Sequence, residues 1–149
     1  MNFIEKAINL SIENVSKNKG GPFGAVIVRD NEIVSEGYNN VITNSDPTAH
    51  AEIVAIRNAC KKLNTPFLEN CTIYSSCEPC PMCYGAIKWA KIKKIYYCNT
   101  REQAKNIGFD DEKIYNNIIY NNQNMIKIDH NHGLTAFNKW KESESKIEY

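Results

Sequence analysis

With 149 residues, 42% hydrophobic and 23% charged, the chain has the size and composition of one soluble globular domain able to bury a core. A net charge of +1 gives no chain-wide basic face, so the electrostatic argument for nucleic acid as a partner is missing. No apolar run reaches bilayer length and Met1-Asn2-Phe3-Ile4-Glu5-Lys6 lacks a signal-peptide layout. A cytoplasmic location is therefore expected, with the six cysteines as thiols or metal ligands rather than disulfides.

Along residues 2–17, Phe3, Ile4, Ala7, Ile8, Ile12 and Val15 recur at helical spacing, which predicts an amphipathic helix packed on a sheet. Lys19-Gly20-Gly21-Pro22 ends it. Residues 24–39 read as a hairpin turning at Asp30-Asn31. Residues 41–47 read as loop, with Asp46 or Thr48 as a cap for a helix running to about Leu63. His50 and Glu52 then fall in that helix's first turn, where unpaired N–H groups favour a carboxylate and anionic ligands. A third strand over 71–75, a loop over 76–79, a short helix from Cys80 to about Ala90 and a fourth strand over 93–98 make a parallel β-α-β crossover. Pro81 suits only a helix start. Two helix N-termini should therefore face each other across one site.

Downstream, 101–106 reads as helical, Gly108-Phe109-Asp110-Asp111 opens another short helix to about Ile119, and 120–124 is a polar loop. Residues 125–128 are expected as a last strand and 134–145 as a terminal helix presenting Phe137 and Trp140. Cys60, Cys71 and Cys98 are expected as buried packing residues, His130 and His132 as surface residues, and 139–148 as a solvated face.

The chemistry concentrates in Cys77-Glu78-Pro79-Cys80-Pro81-Met82-Cys83 and His50-Ala51-Glu52. His50, Cys80 and Cys83 make three good zinc donors, and a catalytic zinc keeps three protein ligands with one position left for water. Glu52, two residues from His50, is placed to handle protons beside the metal as both base and acid. The alternative is a closed structural cage with Cys77 as fourth ligand, which leaves Glu52 without a purpose.

H-x-E…P-C-x-x-C marks zinc-dependent base deaminases. Together with Pro47-Thr48-Ala49-His50-Ala51-Glu52 and Gly85-Ala86-Ile87, it resembles the cytidine and deoxycytidylate deaminase superfamily. Within it, the chain resembles the branch of tRNA adenosine deaminases and guanine deaminases. Gly20-Gly21-Pro22-Phe23-Gly24-Ala25, Asn39-Asn40, Trp89-Ala90, Gly108-Phe109-Asp110-Asp111 and a C-terminal tyrosine are similar to the bacterial guanine deaminases. The resemblance implies a three-layer α/β/α sandwich on a mixed sheet of about five strands. It implies a single domain of residues 1–149 whose segment from about 125 to 149 covers the active site, one Zn2+ per subunit and a homodimer. It implies hydrolysis of guanine at C2 to xanthine and ammonia. Carried over by position, Phe23 would stack on the purine, Asn39 would bond its edge and Trp89 would wall the pocket. Asp111 would hold the departing amino group and help move protons, and Tyr149 would close over the site. Adenosine in a tRNA loop is the rival substrate, but it needs flanking basic residues where this chain has Asp110-Asp111. Guanosine and other small aminated heterocycles fit the same framework. A zinc-stabilised binding module without catalysis has no use for an intact Glu52.

Overall fold

Alternation along one strand sorts the core into two halves. In β1 (Gly24–Arg29), Ala25 and Ile27 join a cluster with Ala51, Ala55, Ala59, Ile73 and Ile87, whereas Val26 and Val28 join Phe3 and Leu10. Successive side chains of a strand point to opposite faces, so helices must cover both. They do so as α1 (Phe3–Ser16) on one face and α3 (Ala51–Leu63) with α4 (Pro81–Trp89) on the other. This three-layer α/β/α arrangement is seen in a computed structural model describing residues 2–119, 125, 127–128, 132, 134–145 and 147.

The sheet runs β2-β1-β3-β4, with β2 at Glu32–Tyr38, β3 at Thr72–Cys77 and β4 at Lys94–Asn99. β1 pairs antiparallel with β2 and β3, and β3 pairs parallel with β4, which gives the expected mixed sheet and crossover. The hairpin turns on Asp30 and Asn31, both left-handed at φ 50° and 62°. That handedness matches the twist of the flanking strands, and short Asn and Asp side chains tolerate it.

Several elements differ from expectation. The sheet has four strands among the described residues rather than about five: Met125, Lys127 and Ile128 lie outside any strand, and Ile126 lies outside the described residues. Residues 41–47, expected as loop, hold a one-turn helix α2 (Val41–Asn44). The buried stripe of α1 is Phe3, Ala7, Leu10, Ser11 and Asn14, while Ile12 and Val15 are exposed. The stripe shifts because the Asn14 amide is drawn inward to two loop carbonyls. Asp46 and Thr48 do not cap α3; Asp46 instead accepts from the Thr48 amide and hydroxyl and pairs with Arg57. Cys71 is buried as expected, Cys60 is half-buried, and Cys98 is exposed on β4.

α5 (Arg101–Lys105) starts on a capping box between Thr100 and Gln103, and α6 spans Glu112–Ile119. The chain forms two compact units, 1–115 and 116–149. The second carries α7 (Thr135–Glu142), on which Phe137 and Trp140 are exposed. His132 is exposed, and His130 lies outside the described residues.

Gly37 sets how closely α3 approaches the sheet. A Cβ there would lie 2.2 Å from the Ala51 carbonyl oxygen and 2.5 Å from the Ala55 nitrogen, both backbone atoms that cannot step aside. Gly37→Ala is expected to destabilise the fold by about 2 kcal/mol or more. Because the clash falls on the first turn of α3, zinc affinity should drop as well. Thermal unfolding and metal competition titration measure the two effects.

Candidate active site

Both helices that cover the second face of the sheet begin at one place. His50 is the N-cap residue of α3 and Cys80 that of α4, with Cys83 one turn into α4. Neither N-cap side chain makes a capping hydrogen bond, and the two turn toward each other. Cys80 Sγ lies 3.6 Å and Cys83 Sγ 3.5 Å from His50 Nδ1. The three ligand atoms lie within 4.8 Å of one another.

The donor set fits zinc. Bond lengths usual for zinc, placed at tetrahedral angles, space an imidazole nitrogen and a thiolate about 3.6 Å apart. That matches the two separations, as does the soft sulfur and nitrogen chemistry. The hydrogen bond with Cys83 draws Cys80 down to about 4, and the same bond with burial pushes Cys83 up. Thiol ligands bind a cation deprotonated, so zinc would take the place of their protons. Cys77 stands apart. Its Sγ points at the Thr100 carbonyl, 3.7 Å away, and burial followed by the charge of Glu52 pushes its thiol up to about 11. It is not grouped with the three ligand atoms.

Glu52, in the first turn of α3, is 6% exposed and reaches into the same spot. Its Oε1 accepts from the Ser75 hydroxyl at 3.0 Å, and its Oε2 lies 3.4 Å from Cys83 Sγ. Burial pushes its carboxyl above the usual range. A carboxyl that holds protons more firmly than usual beside a metal site is suited to act as acid and base in turn.

A cavity of about 700 Å³ opens from this cluster, lined by His50, Glu52 and Cys80 at one end and by Phe23, Asn39, Phe109 and Asp111 around it. Phe23 meets Phe109 edge to face, with centroids 4.9 Å apart. Asn39 is buried at the cavity wall, and its Oδ1 accepts from the Val41 amide at 3.3 Å. Its backbone is held by the Phe23 carbonyl and by the Asn14 amide, which also binds the Gly21 carbonyl. Asp110 accepts from the Glu112 amide at the start of α6. That leaves the Asp111 carboxylate to Arg101, whose Nε donates to it at 3.0 Å. The Arg101 guanidinium lies over the Tyr115 ring, and its backbone N–H donates to Glu78.

Of the residues singled out from sequence, Phe23, Asn39, His50, Glu52, Cys80, Cys83 and Asp111 come together around one space. Trp89 does not: it sits at the end of α4, 68% exposed, and takes no part in the cavity wall, because the helix turns that face outward. Tyr149 lies outside the described residues. Arg101, Ser75 and Asn14 escaped the sequence reading. Arg101 stands in an ordinary helix start, Ser75 in a run of strand residues, and Asn14 among the polar residues of an amphipathic helix.

A parallel strand pair with a crossover helix, a histidine and two cysteines on facing helix N-termini, and a buried glutamate beside them define a zinc-dependent deaminase domain. The chain belongs to the family of the cytidine and deoxycytidylate deaminase zinc-binding region, whose profile matches residues 1–99. It is 45% identical to the guanine deaminase of Bacillus subtilis over 99% of this chain and 97% of that one. The crystal structure of that guanine deaminase superposes with a TM-score of 0.95, covering 100% of this chain and 99% of the other. The tRNA-specific adenosine deaminase of Haemophilus influenzae is 36% identical over 98% of this chain and 89% of its own.

Proposed function

We propose that the protein deaminates guanine hydrolytically to xanthine and ammonia. The observation that carries this reading is the cavity that joins the ligand cluster and Glu52 to Phe23, Asn39 and Asp111. Its size suits a small heterocycle. The near full-length similarity to a guanine deaminase supports the same substrate.

In this reading His50, Cys80 and Cys83 hold one zinc ion. When bound, the ion supplies the charge that lets a water ionise near neutral pH. Phe23 presents its ring face to the purine, with Phe109 edge-on behind it. The Asn39 NH₂ donates to an acceptor on the purine edge, and Asp111 accepts from the 2-amino group. Arg101 pairs with that carboxylate at 3.0 Å and aims it. Glu52 accepts a proton from the attacking water and delivers it to the ring nitrogen beside C2, then takes the second proton from the new C2 hydroxyl and passes it to the amine. The C2–N bond then breaks, ammonia leaves and a carbonyl remains at C2. Burial of Glu52 excludes bulk water from this traffic.

A tRNA loop is the weaker candidate. Glu78, Asp110 and Asp111 line the cavity against one guanidinium, Arg101, which is itself paired with Asp111, a balance that does not favour a phosphate backbone.

We also propose that the protein works as a homodimer. β4 is an edge strand among the described residues and exposes Tyr96 and Tyr97, and the neighbouring α4 exposes Tyr84. An aromatic sheet edge left in water invites pairing or aggregation unless covered. Light scattering at micromolar concentration should return twice the chain mass of 17.0 kDa, and a monomer would refute the assembly.

Ammonia release from guanine, guanosine, adenine, cytosine and an anticodon stem-loop decides the substrate. Guanine is expected to be turned over at least about a hundredfold more efficiently than adenine, cytosine or the stem-loop, since a site built to bond a group rejects analogues lacking it. Glu52→Gln should abolish turnover and leave zinc bound. Faster turnover of the stem-loop would overturn the reading.

A further inference from the structure

Two neighbouring serines on β3 have separate duties. Ser76 Oγ accepts from the Gly24 amide at 3.0 Å and so ties two strands together. Ser75 does nothing of that kind. It is 2% exposed and lies on the same face of β3 as Ile73, toward the cluster formed by Ala25, Ile27 and Ala55. A hydroxyl on an apolar face is costly unless it finds a partner. Its partner is Oε1 of Glu52, 23 residues away in sequence.

We propose that Ser75 is a positioning residue that assigns the two oxygens of Glu52 different work. The inference rests on the proton-carrying role given to Glu52 above. Ser75 sits opposite Ala25 of β1 and Tyr97 of β4, so it is held on both sides by the sheet. From that fixed strand its hydroxyl donates to Oε1 and stops the carboxylate from rotating about its last torsion. Oε2 is left facing the ligand cluster, 3.4 Å from Cys83 Sγ. The hydroxyl can donate to Oε1 whether Glu52 is ionised or protonated. The travelling proton is therefore kept on Oε2 in both halves of the cycle, and no reorientation is needed between taking and giving it. Without the anchor the carboxyl would spend part of its time with the wrong oxygen forward, and misplacements of this scale cost up to about a hundredfold in rate.

The test uses the zinc-loaded protein with guanine as substrate. Ser75→Ala should lower kcat at least about tenfold with KM unchanged, while zinc content and folding cooperativity persist. Ser75→Thr, which keeps the donor on a β-branched frame suited to a strand, should recover most of kcat. Should the alanine variant not fold, Ser75→Cys fills the same space with a weak donor and takes its place. A wild-type kcat in the alanine variant, or a threonine variant as slow as alanine, would overturn the assignment. Glu52→Gln measured alongside separates the two claims. If it is inactive while Ser75→Ala is normal, only the anchor fails. If it is active, the proton-carrying reading fails and the anchor with it.

Discussion

Everything at the site depends on gathering one imidazole, two thiolates and a carboxylate into a single half-buried spot. His50 Nδ1 stands 3.5–3.6 Å from both sulfurs, and Glu52 Oε2 stands 3.4 Å from one of them. Such a concentration of anionic groups is unfavourable in a low-dielectric interior unless positive charge offsets it. The N-termini of α3 and α4 supply part of that charge through their unpaired N–H groups. A divalent ion supplies the rest. The fold is arranged so that the two helix starts cannot drift apart: both helices pack on the same face of the sheet. Gly37 lets the first turn of α3 press against β2 with no side chain between.

The second constraint is that the cluster remains open on one side. Among the described residues the ligand group comprises three, and the thiol of Cys77 is turned instead to the Thr100 carbonyl. The cavity opens beside this cluster, and its far wall is built from different materials. Glycine-rich backbone brings Phe23 forward: a Cβ on Gly21 would lie 3.3 Å from both the Phe23 and Phe109 rings. Asn14 reaches from α1 to pin the Gly21 and Asn39 carbonyls together. Opposite them, Glu78, Arg101 and Asp111 form a charged chain that runs from the cysteine loop to the start of α6.

Much of this was legible in the sequence for a simple reason. Metal ligands and helix punctuation are local signals: Pro81 marks a helix start, and His50 and Glu52 stand two apart before an apolar run. The hairpin was likewise announced by Asp30-Asn31. What sequence reasoning missed depends on contacts between distant segments. Ile12 and Val15 have the right spacing for the buried face of α1, yet Asn14 takes that position because its amide has carbonyls to satisfy. Ser75 looks like any strand residue until Glu52, 23 positions away, is seen to accept its hydroxyl. Trp89 follows the cysteine motif closely in sequence, but the turn of α4 carries it out of the cavity wall. Arg101 gains its meaning only when Asp110 takes the cap of α6 and leaves Asp111 for it.

The central claim is that the protein offers the metal three donors and no more. X-ray absorption at the zinc edge of the metal-loaded protein counts them directly. The account predicts two sulfurs at about 2.3 Å and two lighter neighbours at about 2.0–2.1 Å, one of them exchangeable with solvent. A shell of three sulfurs and one imidazole would mean that Cys77 swings in to close the site, and it would contradict the catalytic reading.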